Sequence, residues 1–189
     1  MRNLHIAINK RLYLKNLHEC DAESLFALVD HNREHLRVWL PWVDGNTHVE
    51  HSLEFIRIAQ LQMERGLGPI CGVFFDNELC GVCGFHPYDN LNHSITLGYW
   101  LAKSACGKGI ATECTKTMVN FAFETLQVNK VCISAAIKNV ASRRIPTKLM
   151  MVNDGINRDG EFLNGRYHDL VVYTLLKDEW QAIKSTVFK

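Results

Sequence analysis

The chain has 189 residues, of which 47% are hydrophobic and 22% charged, and its formal net charge is +1. This composition is typical of a soluble globular protein, and 21 basic residues against 20 acidic ones give no electrostatic basis for binding nucleic acid. No apolar run approaches the roughly 20 residues of a membrane-spanning helix. The segment from Met1 to His5 lacks the apolar stretch of a signal peptide, so we expect a cytoplasmic protein. No linker or repeat divides the chain, which predicts one domain over residues 1–189.

Hydrophobic periodicity predicts elements in the order β-α-α-β-β-β-α-β-α-β-β, an α/β mixed sheet with helices on both faces. Strands are predicted near residues 11–15, 70–75, 79–85, 94–101 and 128–137, and in a closing hairpin. Asp21 can cap the first helix, and Thr47-His48-Val49-Glu50 reads as a capping box for the second, with Gly66 as its end. A further helix spans about 110–125, and Asn139 can open the next one. Asn164-Gly165 predicts a type I′ turn in the closing hairpin.

Cysteine and histidine residues could in principle form metal sites. The seven cysteines favour reduced, mostly buried thiols. Cys80 and Cys83 form a CxxC motif, but residues three apart on a strand face opposite sides of a sheet, and no second CxxC is present. Two histidine pairs have helical ligand spacing: His31 with His35, and His48 with His51. Neither pair has an HExxH glutamate or a third ligand, so we expect no metal.

The segment after the 94–101 strand is the most informative part of the sequence. It reads Ala105-Cys106-Gly107-Lys108-Gly109-Ile110-Ala111-Thr112 and leads into a helix. Unpaired N–H groups and the dipole at a helix start suit a pyrophosphate. Gly107 and Gly109 let the backbone approach a ligand closely, and Lys103 and Lys108 could add charge. Two glycines alone would favour an ordinary strand-to-helix turn over a ligand-binding loop.

Several motifs, in their shared order, resemble the GNAT acetyltransferases and specifically their Rim-type branch, which acetylates the N-termini of ribosomal proteins. The family pattern Gln/Arg-x-x-Gly-x-Gly/Ala corresponds to residues 106–111, with Cys106 at the first position. The other matching segments are Asn32 to Arg37 with Trp39-Leu40-Pro41-Trp42, Gly98-Tyr99-Trp100-Leu101, Asn139 to Arg144, Glu161 to Gly165, and Asp178-Glu179-Trp180. The resemblance implies a GNAT-like fold and an acetyl-CoA-dependent N-acetyltransferase.

The resemblance also implies site residues. Glu161 would be the general base that deprotonates the amine, and Ser142 would assist the leaving thiolate. Without the resemblance, Glu161 would be read as a solvated hairpin residue and Ser142 as a helix-start serine that bonds to backbone. Pro146 cannot donate to the carbonyl of Ser142 and should kink or shorten its helix. The implied acetyl-CoA-binding residues are Tyr99, Trp100, Leu101, Cys106, Gly107, Lys108, Gly109, Ile110, Ala111, Thr112 and Asn139, with a backbone N–H of the 98–101 strand stabilising the oxyanion.

The acceptor amine has several alternatives. Trp39 and Trp42 lie where this fold builds its acceptor pocket, either as lid residues or as an aromatic plate for a flat group. A plate would suit the aminoacyl-nucleotide antibiotics that related microcin C self-immunity acetyltransferases modify, which would make the protein an antibiotic-resistance enzyme. A ribosomal-protein N-terminus is the other acceptor that the resemblance implies. Cys106 and Pro146 also leave open a non-catalytic acyl-CoA-binding sensor.

Overall fold

One mixed sheet of eight strands organises the computed structural model, which describes residues 3–188. The strands are β1 (His5–Ala7), β2 (Leu12–Asn16), β3 (Ile70–Phe75), β4 (Glu78–Phe85), β5 (Ser94–Leu101), β6 (Lys130–Ala136), β7 (Val152–Leu163) and β8 (Arg166–Leu176). The helices are α1 (Ala22–His31), α2 (Arg33–Leu36), α3 (Val49–Glu64), α4 (Ile110–Glu124), α5 (Val140–Lys148) and α6 (Lys177–Val187). In residues 3–188, no helix is long and apolar enough to cross a membrane. Met1 and Arg2, the first residues of the segment expected to lack a signal peptide, lie outside the described residues, as does Lys189.

The predicted mixed sheet is confirmed, and the structure adds three elements that periodicity did not reveal: β1, α2 and α6. The closing hairpin has its predicted two-residue turn, because β7 ends at Leu163 and β8 begins at Arg166. Asn164 and Gly165 have φ values of 52° and 76°, as a type I′ turn requires. The predicted type I′ turn at Asn164-Gly165 is therefore confirmed.

The predicted capping box of α3 is wrong in its residues. The helix begins at Val49, with His48 rather than Thr47 at the N-cap. The His51 imidazole accepts from the backbone N–H groups of Thr47 and His48, each at 3.3 Å. A neutral imidazole nitrogen is a hydrogen-bond acceptor, so it replaces the carboxylate expected at Glu50. The end of the helix is as predicted, with Gly66 at φ 72° just beyond it.

The helices pack on both faces of the sheet, as predicted. One face carries a core cluster formed with α1 and α3, whose buried members are Leu17, Ala22, Leu25, Ile56, Phe74 and Val82. The opposite face carries a larger cluster to which α4, α5 and α6 contribute residues such as Met118, Ile145 and Trp180. Alternation along β5 sends Tyr99 to the larger cluster and Trp100 to the smaller one.

Strands β5 and β6 form the parallel pair of this sheet, and they separate soon after they meet. Their register joins Ser94 to Lys130 and Thr96 to Cys132, and within the described chain no later pair continues it. Beyond this point β5 pairs with β4 as far as Leu101, while β6 pairs with β8 as far as Ala136. The facing edges of the two strands therefore have backbone groups outside the ladder, next to the starts of α4 and α5.

Candidate active site

The loop before α4 exposes a run of backbone N–H groups at the end of β5. Gly107 and Gly109 have φ values of 76° and 79°, and a Cβ on either would meet no atom within 4 Å. The first helical bond runs from the Glu113 N–H to the Gly109 carbonyl at 3.1 Å. Across residues 3–188, the hydrogen bonds leave the N–H groups of residues 107–112 without a protein acceptor. Such a run at the start of a helix suits the phosphates of a nucleotide cofactor.

Two side chains of this loop point to protein neighbours. The Lys108 ammonium lies 5.9 Å from the centre of the Phe75 ring, on the β3–β4 hairpin. The Cys106 sulfur lies 3.7 Å from Nε2 of His35 and 3.4 Å from the Ala102 carbonyl. Burial raises the pKa of the Cys106 thiol, which keeps it protonated. Both side chains therefore have protein neighbours, whereas the backbone N–H groups of residues 107–112 have no protein acceptor among residues 3–188.

Helix α5 starts at the carboxyl end of β6 and is fixed there by its own side chains. The Asn139 carbonyl oxygen accepts from the Ser142 N–H at 3.1 Å, so Asn139 is the predicted N-cap. Arg143 donates to the Tyr173 hydroxyl at 3.2 Å and to the Ile137 carbonyl at 2.9 Å. The Asn139 cap bond holds Ser142 in the first turn of α5, just after the carboxyl end of β6.

Tyr99 reaches across from β5 to α5. Its hydroxyl donates to the Ser142 carbonyl at 3.1 Å and accepts from the Ser142 hydroxyl at 3.3 Å. Tyr99 was expected from the sequence only as a cofactor-binding strand residue, and its side-chain contact with Ser142 was not predicted. Pro146 was the available signal, because it leaves the Ser142 carbonyl without its helical donor.

Glu161 lies on β7, directly opposite His168 of β8. It is half-buried, and burial raises the pKa of its carboxyl group, an effect that the nearby His168 partly offsets. His168 is itself held near the Leu163 carbonyl, with a ring nitrogen at 3.2 Å. Within residues 3–188, no hydrogen bond joins Glu161 to Ser142. The two predicted catalytic residues therefore belong to different elements, with Ser142 on α5 and Glu161 on the hairpin.

The hairpin tip and the tryptophan segment meet on the other side of β5. The Asn164 side-chain amide donates to the Arg37 carbonyl at 3.3 Å, just before Trp39. Trp42 is 39% exposed, and its ring centre lies 5.8 Å from that of Trp100, at 53°. Trp39 is only partly buried. An exposed indole beside β5 thus offers a flat apolar surface next to the hairpin that carries Glu161.

The histidine pairs have other partners. Nδ1 of His31 lies 2.6 Å from the Ala27 carbonyl, and His48 and His51 form the α3 cap. In residues 3–188, no group of three His, Cys, Asp or Glu side chains could hold a metal ion. A groove of about 460 Å³ beside α1 is lined in part by His31 and contains none of the predicted site residues.

Comparison with known proteins adds to this geometry. Residues 11–152 match the family model described as an acetyltransferase (GNAT) domain. The protein YdaF of Bacillus subtilis (strain 168), which carries the name of a ribosomal N-acetyltransferase, is 35% identical over 178 residues, covering 94% of this chain and 97% of YdaF.

Solved structures of acetyltransferases also match this chain. RimL, the ribosomal L7/L12 α-N-protein acetyltransferase solved in complex with coenzyme A, has a TM-score of 0.88 at 26% identity and covers 93% of this chain and 99% of its own. The microcin C7 self-immunity acetyltransferase MccE, solved with acetyl-CoA and AMP, has a TM-score of 0.84 at 22% identity, covering 89% of this chain and 94% of that one. At that identity, the likeness to MccE shows the fold alone.

Proposed function

The chain belongs to the GNAT acetyltransferase family and is an acetyl-CoA-dependent N-acetyltransferase; from this premise we propose that its acceptor is the free α-amine at the N-terminus of a ribosomal protein. The observation that carries the proposal is the 26% identity to RimL, an α-N-protein acetyltransferase, across 93% of this chain. Ribosomal proteins are made in the cytoplasm, so the proposal places the enzyme there.

Glu161 is the proposed general base. A free α-amine has a pKa of about 7.7–8.0, so most of it is protonated at neutral pH and must lose a proton before it attacks the thioester. Burial raises the pKa of the Glu161 carboxyl group, which makes the carboxylate a stronger base than an exposed glutamate. Glu161 lies on β7, three residues before the hairpin turn. The contact of Asn164 in that turn with Arg37, close to Trp39, supports a position of Glu161 near the acceptor.

Ser142 is proposed to donate a hydrogen bond to the thiolate that leaves when the C–S bond breaks. A thiol of this kind has a pKa near 8.5, so a nearby hydroxyl donor lowers the cost of its departure. Bound acetyl-CoA supplies the thioester. The free edge of β5 supports a role for a backbone N–H of residues 98–101 in stabilising the oxyanion.

The proposed acetyl-CoA site runs from the loop before α4 to the N-cap of α5. N–H groups of the segment Cys106 to Thr112 would hold the pyrophosphate, and the β5 residues Tyr99, Trp100 and Leu101 would flank the pantetheine arm. Two observations fit this group: the N–H groups of residues 107–112 lack protein acceptors, and both loop glycines have open space where a Cβ would stand. Asn139 would contribute by holding the start of α5.

A second acceptor class is favoured by Trp42 alone. Its exposed ring could stack on the base of an aminoacyl-nucleotide, in which case the enzyme would confer resistance to an antibiotic of that class. Trp39 could form the second wall of the same pocket. Stacking on an aromatic plate contributes about 1–3 kcal/mol per base, enough to separate the two acceptor classes by affinity.

The test follows free thiol released from acetyl-CoA with two acceptors offered separately: a peptide that begins with serine, and a non-hydrolysable aminoacyl-adenylate. Release of thiol with the peptide supports the proposal. Release only with the adenylate would show that the acceptor is an aminoacyl-nucleotide instead. Glu161→Gln should abolish most turnover while acetyl-CoA still binds, and Glu54→Gln, on the exposed side of α3, is the matched control. Silence with both acceptors, in a protein that binds acetyl-CoA, would overturn both assignments.

A further inference from the structure

Pro146 creates an unusual hydrogen-bonding requirement inside α5. In an α-helix the N–H of residue 146 would bond to the carbonyl of residue 142, but proline has no N–H. Ser142 is only partly exposed, and a carbonyl that is buried without a donor destabilises a fold by about 1–3 kcal/mol. This carbonyl is therefore available to a donor from outside the helix.

Tyr99 supplies that donor, and its geometry fixes which way its proton points. A phenol has a single proton, and the Tyr99 hydroxyl lies 3.1 Å from the Ser142 carbonyl. The same oxygen then accepts from the Ser142 hydroxyl at 3.3 Å. Tyr99 thus contacts both the backbone and the side chain of one residue, 43 positions away on another element.

The surroundings of Tyr99 keep this hydroxyl neutral. Its ring packs against the core cluster between the sheet and α4–α6, and burial raises the pKa of the phenol above its ordinary value. A neutral phenol at every physiological pH remains a donor to the Ser142 carbonyl and does not become a base.

We propose that Tyr99 is the positioning residue for Ser142: with the Ser142 carbonyl released by Pro146, the Tyr99 hydroxyl holds the serine hydroxyl at the point where the leaving thiolate forms. This inference rests on the proposed role of Ser142. When the C–S bond breaks, its electron pair goes to sulfur, and the Ser142 proton turns from Tyr99 toward that sulfur. The serine oxygen does not move, since rotation about its Cβ–Oγ bond suffices.

The test is a double-mutant cycle measured with saturating acceptor. Tyr99→Phe removes only the hydroxyl and should lower kcat about fivefold to tenfold, the effect of one hydrogen bond, while KM for acetyl-CoA stays within about twofold. In a Ser142→Ala background the same change should have no further effect on kcat, because Tyr99 acts through the serine.

Tyr173→Phe is the matched control. It also removes a buried hydroxyl that bonds to α5, but its partner is Arg143 rather than Ser142. We expect kcat of this variant to stay within about twofold of the parent enzyme, with a loss of thermal stability similar to that of Tyr99→Phe. If Tyr99→Phe melts far below Tyr173→Phe, 3-fluorotyrosine at position 99 replaces it, since this residue keeps the ring and hydroxyl and changes hydrogen-bond strength.

The outcomes separate the two proposals. Losses that add in the double variant would overturn the positioning role while leaving Ser142 in place. An unchanged kcat in Ser142→Ala, with acetyl-CoA still bound, would refute the role of Ser142 and the positioning role with it. With the fluorinated residue, a change of kcat in the parent but not in the Ser142→Ala background supports the proposal, and an equal change in both contradicts it.

Discussion

The side-chain amide of Asn164, at the tip of the β7–β8 hairpin, donates to the backbone carbonyl of Arg37 across 127 positions of sequence. The bond ties the hairpin that carries Glu161 to the segment that carries Trp39 and Trp42. The bond thus links two parts of the proposed acceptor site, neither of which belongs to the cofactor loop.

Removal of this bond should affect the acceptor and not the cofactor. Asn164→Gly keeps a residue suited to the φ of 52° and deletes only the amide. We expect KM for the peptide acceptor to rise about twofold to tenfold, the effect of one hydrogen bond, with unchanged acetyl-CoA binding. Asn77→Gly, in the β3–β4 turn at φ 67°, is the control. A rise in the dissociation constant of acetyl-CoA would contradict this division of the site.

Glu161 makes a prediction about stability as well as activity. Because burial raises its pKa in the folded state, the folded form holds the proton more tightly than the unfolded chain does. The stability that this contributes is present at low pH and is lost as pH rises through the raised pKa. The Tm of Glu161→Gln minus that of the parent enzyme should therefore be more positive at pH 7 than at pH 4, while most turnover is lost at both pH values. Thermal melts at the two pH values measure this, and a Tm difference independent of pH would exclude burial as the cause.

Gly109 tests the position of the pyrophosphate. Alanine at its φ of 79° should destabilise the fold by about 1 kcal/mol, and its Cβ would project into the space that the loop offers to a ligand. We expect the dissociation constant of acetyl-CoA to rise roughly tenfold, or about 1.4 kcal/mol. Gly66→Ala has the same backbone strain at φ 72°, also in open space, beyond the end of α3. Equal affinities of the two variants, measured by calorimetry, would place the phosphates elsewhere.

Cys106 departs from the family pattern, and its replacement tests what the departure costs. Cys106→Arg should tighten acetyl-CoA binding a few-fold at low salt, because a guanidinium pairs with phosphate oxygens. The gain should shrink as ionic strength rises. Cys20→Arg adds the same charge at an exposed position just before α1 and should not change affinity. A gain that persists at high salt would point to packing rather than charge.

Sequence patterns were sufficient for most of the long elements, although α6, with 11 residues, was missed, and they were insufficient for the short ones. The strands β3 to β5 and the helix α4 are long enough to show a clear hydrophobic periodicity, and each was predicted within a few residues. β1 has three residues, and only its pairing with β2 makes it a strand. α2 has four residues, too few for a helical period. Such elements are set by tertiary contacts, so no local pattern could reveal them.

The candidate site shows the same division. Asn139 was predicted as an N-cap from local chemistry alone, and it is one. Pro146 revealed that the Ser142 carbonyl lacks its usual donor, but nothing in the sequence identified Tyr99 as the replacement, because that contact depends on how β5 and α5 are packed. The sequence also did not reveal that His51, rather than Glu50, accepts hydrogen bonds in the α3 cap, since imidazoles are uncommon caps.

The short meeting of β5 and β6 has a mechanical consequence. The strands before this junction are joined by successive antiparallel pairings, and those after it form a separate antiparallel group, so few backbone bonds connect the two halves. An acetyl-CoA molecule lying along the junction would contact both halves and hold them together. Amide hydrogens on the facing edges of residues 97–101 and 133–136 should therefore exchange with solvent far more slowly when acetyl-CoA is bound. Because binding stabilises the folded state in proportion to the occupied fraction, the rigidity of this junction should depend on the concentration of acetyl-CoA.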